Sequence, residues 1–262
     1  THNYLTNENL EEALKQIMGT TKGKKLAFIG FDACLMSMLG IMAYSYKYAD
    51  IMIASQELEL GTGWNYSEIF APFNEGAMPK ALFAKHIVNT FKQTYDRYIQ
   101  DYTLSAVDLS AVGAILVNVD HVAQLLQKAI SMQRENSAIK TIGISRHRNL
   151  CTHFDEPSYI DLDHFYTNML SNVDRLSLIN TQEEELLKKA LKGALEFGKR
   201  TLCRAVIANT AGRKLPQAKG ISIYFPERKM HSSYHRTIFA NTNSWVNFLR
   251  SYLSQRSIEA QK

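Results

Sequence analysis

The residues best placed to do chemistry are Asp32 and Cys34, in the stretch Phe31-Asp-Ala-Cys-Leu-Met-Ser-Met-Leu39. A cysteine acts as a nucleophile through its thiolate, which nearby N–H donors and positive charge favour. Before this pair runs a short apolar segment, Leu26 to Phe31, of a kind that suits a buried strand. After it the apolar residues Leu35, Met38, Leu39 and Met42 follow helical spacing. The pattern predicts a strand handing over to a helix at Cys34, where unpaired N–H groups and the helix dipole favour a thiolate and can hold an oxyanion. In an extended segment, Asp32 leaves the same face as Cys34 and sets a carboxylate beside the sulfur.

A lone cysteine in apolar surroundings is more often a small buried hydrophobe. Three features argue otherwise here. Asp32 is costly beside a merely structural thiol, and Gly30 permits close backbone approach. A second polar cluster, Ser55-Gln-Glu-Leu-Glu-Leu-Gly-Thr-Gly-Trp-Asn-Tyr66, follows the next predicted strand, residues 51–55. Ser55, Glu57 and Glu59 of this cluster are candidates to line a substrate pocket, although an exposed turn would carry the same glutamates. A strand–helix–strand unit implies a right-handed parallel crossover, and ligands collect beyond the carboxyl ends of such strands. Both polar segments lie at those ends.

The elements that must position them can be read along the chain. Asn7 or Asn9 is placed to cap a first helix running to about Met18, and Pro79 to Tyr102 reads as a long helix. Ser105 to Leu109 resembles a short strand, His121 to Met132 a helix, and Asp161 to Leu170 and Gln182 to Phe197 two more. Leu202 to Ala208 and Ile221 to Phe225 read as late strands, and Trp245 to Leu253 as a closing helix. With no internal repeat or low-complexity linker, this predicts one α/β domain over residues 1–262. Its sheet is expected to be mostly parallel, with helices on both faces. The 45% hydrophobic content excludes a disordered chain. No apolar run approaches the length of a bilayer span, and no signal peptide is seen within the sequence. The net charge of +5 comes from scattered residues, the nearest cluster being Arg146-His-Arg148. Without interleaved aromatic and basic residues it does not describe a nucleic-acid surface. Cys34, Cys151 and Cys203 have no metal-site spacing, His231 and His235 lack further ligands, and Gly61-Thr-Gly63 is too short for a phosphate loop.

The Asp-Ala-Cys stretch, followed by Ala54-Ser-Gln-Glu-Leu-Glu-Leu-Gly-Thr-Gly-Trp64, closely resembles the clostripain family of cysteine peptidases. The likeness continues through Pro157-Ser-Tyr-Ile-Asp-Leu-Asp-His-Phe165, Gly220-Ile-Ser-Ile-Tyr-Phe-Pro226 and Thr242-Asn-Ser-Trp245, so it covers nearly the whole chain. Asp-Ala-Cys is its specific part. The resemblance implies a caspase-like three-layer sandwich, Cys34 as nucleophile, and Asp32 in a primary specificity pocket for Arg or Lys. In that family the catalytic His precedes the Cys, in a His-Gly segment ending the preceding strand. Here only His2 precedes Cys34, and Asn3 follows it. The resemblance therefore implies a heavy chain beginning just past an activating (auto)proteolytic cut before Thr1, partnered by a light chain that carries the catalytic His. It further implies a bacterial enzyme, secreted or in the cell envelope. Some members depend on calcium, but no Asp/Asn-rich calcium loop stands in this sequence. Two alternatives stay open at this point: a non-catalytic module that binds basic peptides through Asp32, and a chain with a different nucleophile–base pair.

Overall fold

The computed structural model describes residues 5–74 and 76–259, so the expectations for Thr1, His2 and Asn3 lie outside the described residues. In chain order the first elements are α1 (Asn7–Thr20), β1 (Leu26–Gly30), α2 (Leu39–Ser45), β2 (Ala49–Ala54), α3 (Tyr66–Phe70), α4 (Lys80–Tyr95) and β3 (Thr103–Asp108). There follow α5 (Val112–Met132), α6 (Ser137–Arg146), β4 (Tyr159–Asp161), α7 (Leu162–Asn172) and α8 (Thr181–Ala205). The chain closes with β5 (Val206–Ala211), β6 (Ser222–Tyr224), α9 (Ile238–Thr242) and α10 (Trp245–Glu259). Two compact units result, one of residues 1–113 and 204–222, the other of residues 114–203 and 223–262.

The first unit is built on a four-stranded sheet in the order β1-β2-β3-β5. β1 and β2 are parallel, with Leu26 opposite Ala49 and Gly30 opposite Ile53, as the predicted crossover through α2 requires. β2 with β3, and β3 with β5, are antiparallel. The α/β class stands as read, but the sheet is mixed rather than mostly parallel. Buried apolar runs reveal strands without revealing their direction. Ile53 pairs with Ala106, which puts Ile51, Ile53, Leu104 and Ala106 on one face. There α4 covers them with Phe83, Ile87, Val88 and Phe91. Each such side chain contributes roughly 1.5–3 kcal/mol on burial, so this seam anchors the unit. Met52 and Val107 point the other way and are buried too. That is why these strands show no polar alternation.

Several boundaries moved for local reasons. α1 is capped by Thr6, not by Asn7 or Asn9: the Asn9 N–H donates to Thr6 Oγ1 at 3.1 Å, and the Thr6 N–H donates to Asn9 Oδ1 at 3.3 Å. The long helix expected to reach Tyr102 stops at Tyr95, and Tyr102 is buried just before β3. α8 runs on to Ala205, taking the start of the apolar run read as a strand from Leu202.

In the second unit, Phe225 meets Trp245, Phe248 and Tyr252 edge-on, with ring centroids 5.3–5.5 Å apart. The buried Arg146 donates from Nη2 to the Phe225 carbonyl at 2.9 Å and lies over its ring. The sequence pattern missed α6, which buries Thr141, Ser145 and Arg146 along with its aliphatic residues and so shows no clean apolar stripe. One helical stretch, Leu109–Met132, is long and apolar enough to cross a membrane by length and composition alone, contrary to the expectation from the sequence. Val119, Val122, Ala123 and Leu126 along it are fully buried, as in a core helix.

Gly220 ties the first unit together behind the turn that follows β1. Its carbonyl accepts from Ser37 Oγ at 2.6 Å and Ser105 Oγ at 2.7 Å, and its N–H donates to Gln56 Oε1 at 2.8 Å. Its φ is +101°, and an added Cβ would stand 2.9 Å from the Ser105 Cβ. Gly220→Ala is therefore expected to lose about 1–3 kcal/mol in chemical denaturation. An unchanged midpoint and slope would show that the cluster tolerates the strain.

Candidate active site

The ladder between the two parallel strands continues past β1, as the Phe31 N–H donates to the Ile53 carbonyl at 2.9 Å. The chain then turns without leaving its neighbour. The Leu35 N–H donates to the Glu57 carbonyl at 3.1 Å, and the Ser37 N–H to the Ser55 carbonyl at 2.8 Å. On the other side, the Ser222 N–H donates to the Ser37 carbonyl at 2.9 Å. Held between these segments, Leu35 takes a left-handed conformation at φ +60°, which costs a non-glycine residue about 1–2 kcal/mol. Cys34, immediately before it, is exposed.

The turn corrects one expectation. α2 begins at Leu39, with Met38 as an N-cap that makes no side-chain hydrogen bond, so Cys34 does not sit at a helix N-terminus. The left-handed Leu35 and the strand-like bonds of Ser37 interrupt the helical pattern read from Leu35 onward. The dipole acts only within the first turn, so the field at the thiol comes from nearer groups. The Glu59 N–H donates to Cys34 Sγ at 3.3 Å, and Sγ lies 3.8 Å from the Glu59 carbonyl as a donor. Among the described residues, these two main-chain atoms are the hydrogen-bond partners of Sγ, and no imidazole is among them.

Beside the thiol stand two carboxyl groups. Asp32 Oδ2 accepts from the Trp64 N–H at 3.0 Å and the Tyr66 hydroxyl at 2.8 Å. Gly63 makes that approach possible. Its φ is +65°, and a Cβ there would fall 2.6 Å from Asp32 Oδ2. The Tyr95 hydroxyl holds this turn by donating to the Gly63 carbonyl. Glu59 Oε2 accepts from Trp64 Nε1 at 3.0 Å, while Oε1 is buried and meets no donor. Burial first, then a hydrogen bond to Asp32 and its charge, push the Glu59 carboxyl up to about 9. Glu59 therefore holds a proton more tightly than an ordinary glutamate does. Burial and the bond to Asp32 likewise raise the Tyr66 phenol to about 12.

The structure thus brings Cys34, Asp32 and Glu59 together, and it gives Ser55 and Glu57 another task. Ser55 is fully buried, its hydroxyl within 2.8 Å of the Glu57 carbonyl and 2.9 Å of Thr103 Oγ1. The Glu57 N–H donates to both of those hydroxyls, and its Oε1 accepts from the Leu58 N–H at 2.8 Å. These two residues shape the segment after β2. Sequence reasoning missed Gly63, Trp64 and Tyr66 as partners of the carboxyls. The Gly-Trp pair was visible, but only its φ and its distance from Asp32 give it meaning.

Comparison with family models matches residues 1–255 to the clostripain family. Comparison with the curated proteins finds no match. Among solved structures, the chain is similar to a cysteine protease from B. fragilis, at 18% identity and a TM-score of 0.62, over 94% of this chain and 96% of that one. It is also similar to a clostripain from Bacteroides thetaiotaomicron in complex with a peptide inhibitor, at 15% identity and a TM-score of 0.59, over 94% and 96%. A third likeness is to an inactive zymogen protease from Parabacteroides distasonis, at 19% identity and a TM-score of 0.53, over 87% of this chain and 61% of that one. At these identities the structures speak for the shared fold, the caspase-like α/β arrangement.

Proposed function

The chain belongs to the clostripain family of cysteine peptidases, and from that footing we propose that it is an endopeptidase cutting after Arg or Lys through Cys34. The observation that carries the reading is the Asp32 carboxyl, held by Trp64 and Tyr66 beside an exposed thiol that receives a main-chain N–H. In this mechanism the Cys34 thiolate attacks the scissile carbonyl, and the Cys34 N–H helps to hold the oxyanion. The C–N bond breaks as the amine takes a proton from an imidazolium, leaving an acyl-enzyme. Water, deprotonated by the same imidazole, then releases the acid and restores the thiolate beside the imidazolium. Asp32 accepts the substrate's guanidinium or ammonium, for which a carboxylate offers charge-assisted hydrogen bonds. The inhibitor bound to the B. thetaiotaomicron clostripain is BTN-VLTK-AOMK, whose peptide part ends in lysine, and this supports a basic preference.

The imidazole is assigned to a light chain, separated from this one by an activating cut. Two observations support that assignment. No imidazole among the described residues bonds to Cys34, and β1 is an edge of the sheet with only a half-buried face. Beside that edge Phe28 packs edge-on against Phe83, while Phe70 and Phe73 remain 53% and 45% exposed. An open edge next to exposed aromatics suits further strands from a partner chain. The zymogen among the similar structures supports a precursor form. A further similar structure, a secreted cysteine protease from Bacteroides thetaiotaomicron (17% identity, TM-score 0.57, over 94% of this chain and 63% of that one), supports an extracytoplasmic location. Among the described residues, no three or more His, Cys, Asp or Glu side chains are grouped to hold a metal ion, so no step is assigned to calcium.

Removing one partner of a buried ion pair costs about 3–5 kcal/mol, so Asp32→Asn is expected to lose roughly two to four orders of magnitude in kcat/KM on Arg substrates. Unchanged turnover by the folded variant would remove Asp32 from the specificity pocket. For the partner chain, the intact mass of native active enzyme is expected to reveal a second polypeptide. Full activity from residues 1–262 alone would contradict the two-chain reading.

A further inference from the structure

Glu59 has features that holding the turn does not explain. One oxygen, Oε2, fixes the Trp64 indole, but Oε1 is buried without a donor, and the carboxyl reaches Asp32 by a hydrogen bond. A buried acceptor left bare is costly, and two carboxylates in contact do not both ionise readily. A proton between the pair answers both problems in the empty site. Among the described residues neither carboxyl enters an ion pair with a basic side chain, so those residues supply no cation to them.

We propose that Glu59 is a second specificity carboxyl, stored in protonated form against Asp32, and that an incoming cationic side chain displaces its proton to solvent and pairs with both carboxylates. This rests on the reading of Asp32 as the acceptor for Arg or Lys and extends it. No covalent bond changes; one proton leaves Glu59 for bulk water as one positive charge enters. A guanidinium brings several N–H donors and satisfies Oε1 as well as Asp32.

The groups around the pair fit this exchange. From the nucleophile turn come Asp32 and the Cys34 thiol, which touches Glu59 through main-chain atoms only. From the segment after β2 comes Glu57, whose Oε1 is turned to the Leu58 N–H. From α3 comes Tyr66, bonded to Asp32 and itself uncharged through neutral pH, and from α4 Tyr95, bonded to the Gly63 carbonyl. The raised affinity of Glu59 for its proton, up to about 9, leaves it protonated in the empty pocket at pH 7.

The test uses the complete enzyme with Cys34→Ala, so that peptides bind without being cut. Calorimetry at pH 7 in buffers of different ionisation enthalpy compares a peptide amide ending in Arg with its twin ending in citrulline, the uncharged isostere. The Arg peptide is expected to bind at least about tenfold tighter and to release about one proton, and the additional Glu59→Gln change, which keeps an acceptor for Trp64, should abolish the release. Tighter binding of the Arg peptide without proton release, or a release that survives Glu59→Gln, would overturn the role of Glu59 while leaving Asp32 as the specificity residue. Equal affinity for the two peptides would overturn the Asp32 reading and this inference together.

Discussion

The site depends on two main-chain hydrogen bonds, from Leu35 to the Glu57 carbonyl and from Ser37 to the Ser55 carbonyl. They extend the pairing of β1 and β2 beyond the ends of both strands, so the two polar segments leave the sheet already in register. Neither segment is regular structure, and neither would hold its shape alone. Behind them the Ser37, Ser105 and Gly220 cluster fills the remaining backbone needs with side-chain hydroxyls. The left-handed Leu35 is affordable because its neighbours on both sides are fixed.

Electrostatics follows from that register. Glu59 meets Cys34 with its main chain and Asp32 with its side chain, which brings the thiol and the two carboxyls of the two segments together. Trp64 contributes twice, by its N–H to Asp32 and by its indole to Glu59. Gly63 lets that residue come close enough to do so. Preorganisation here is largely a matter of donors fixed by backbone.

Much of this was legible in the sequence. Asp32 and Cys34 stand out because their types and spacing at a strand end restrict what they can do, and the parallel crossover placed the second polar segment beside them. Other features were hidden for physical reasons. The helix expected at Leu35 gave way to tertiary hydrogen bonds at Ser37, which override a helical pattern of apolar residues. Strand direction in β3 and β5 leaves no mark on a buried apolar run. Ser55 and Glu57 carry the bonds of a buried loop, and polar side chains that do so have the same composition as those that meet a ligand. Glu59 differs from Glu57 only in where its carboxyl lies, two residues on along an irregular segment.

The central claim is that Cys34 reacts under the guidance of the acidic pair next to it. The most direct measurement is the rate of covalent labelling of the native enzyme by thiol-reactive peptide probes, with the adduct located by peptide mapping. One probe ends in Arg and its twin in citrulline. The account predicts a single adduct on Cys34, formed much faster with the Arg probe, while Cys151 and Cys203 stay unmodified. Equal rates for the two probes, or an adduct on another cysteine accompanied by loss of activity, would contradict it.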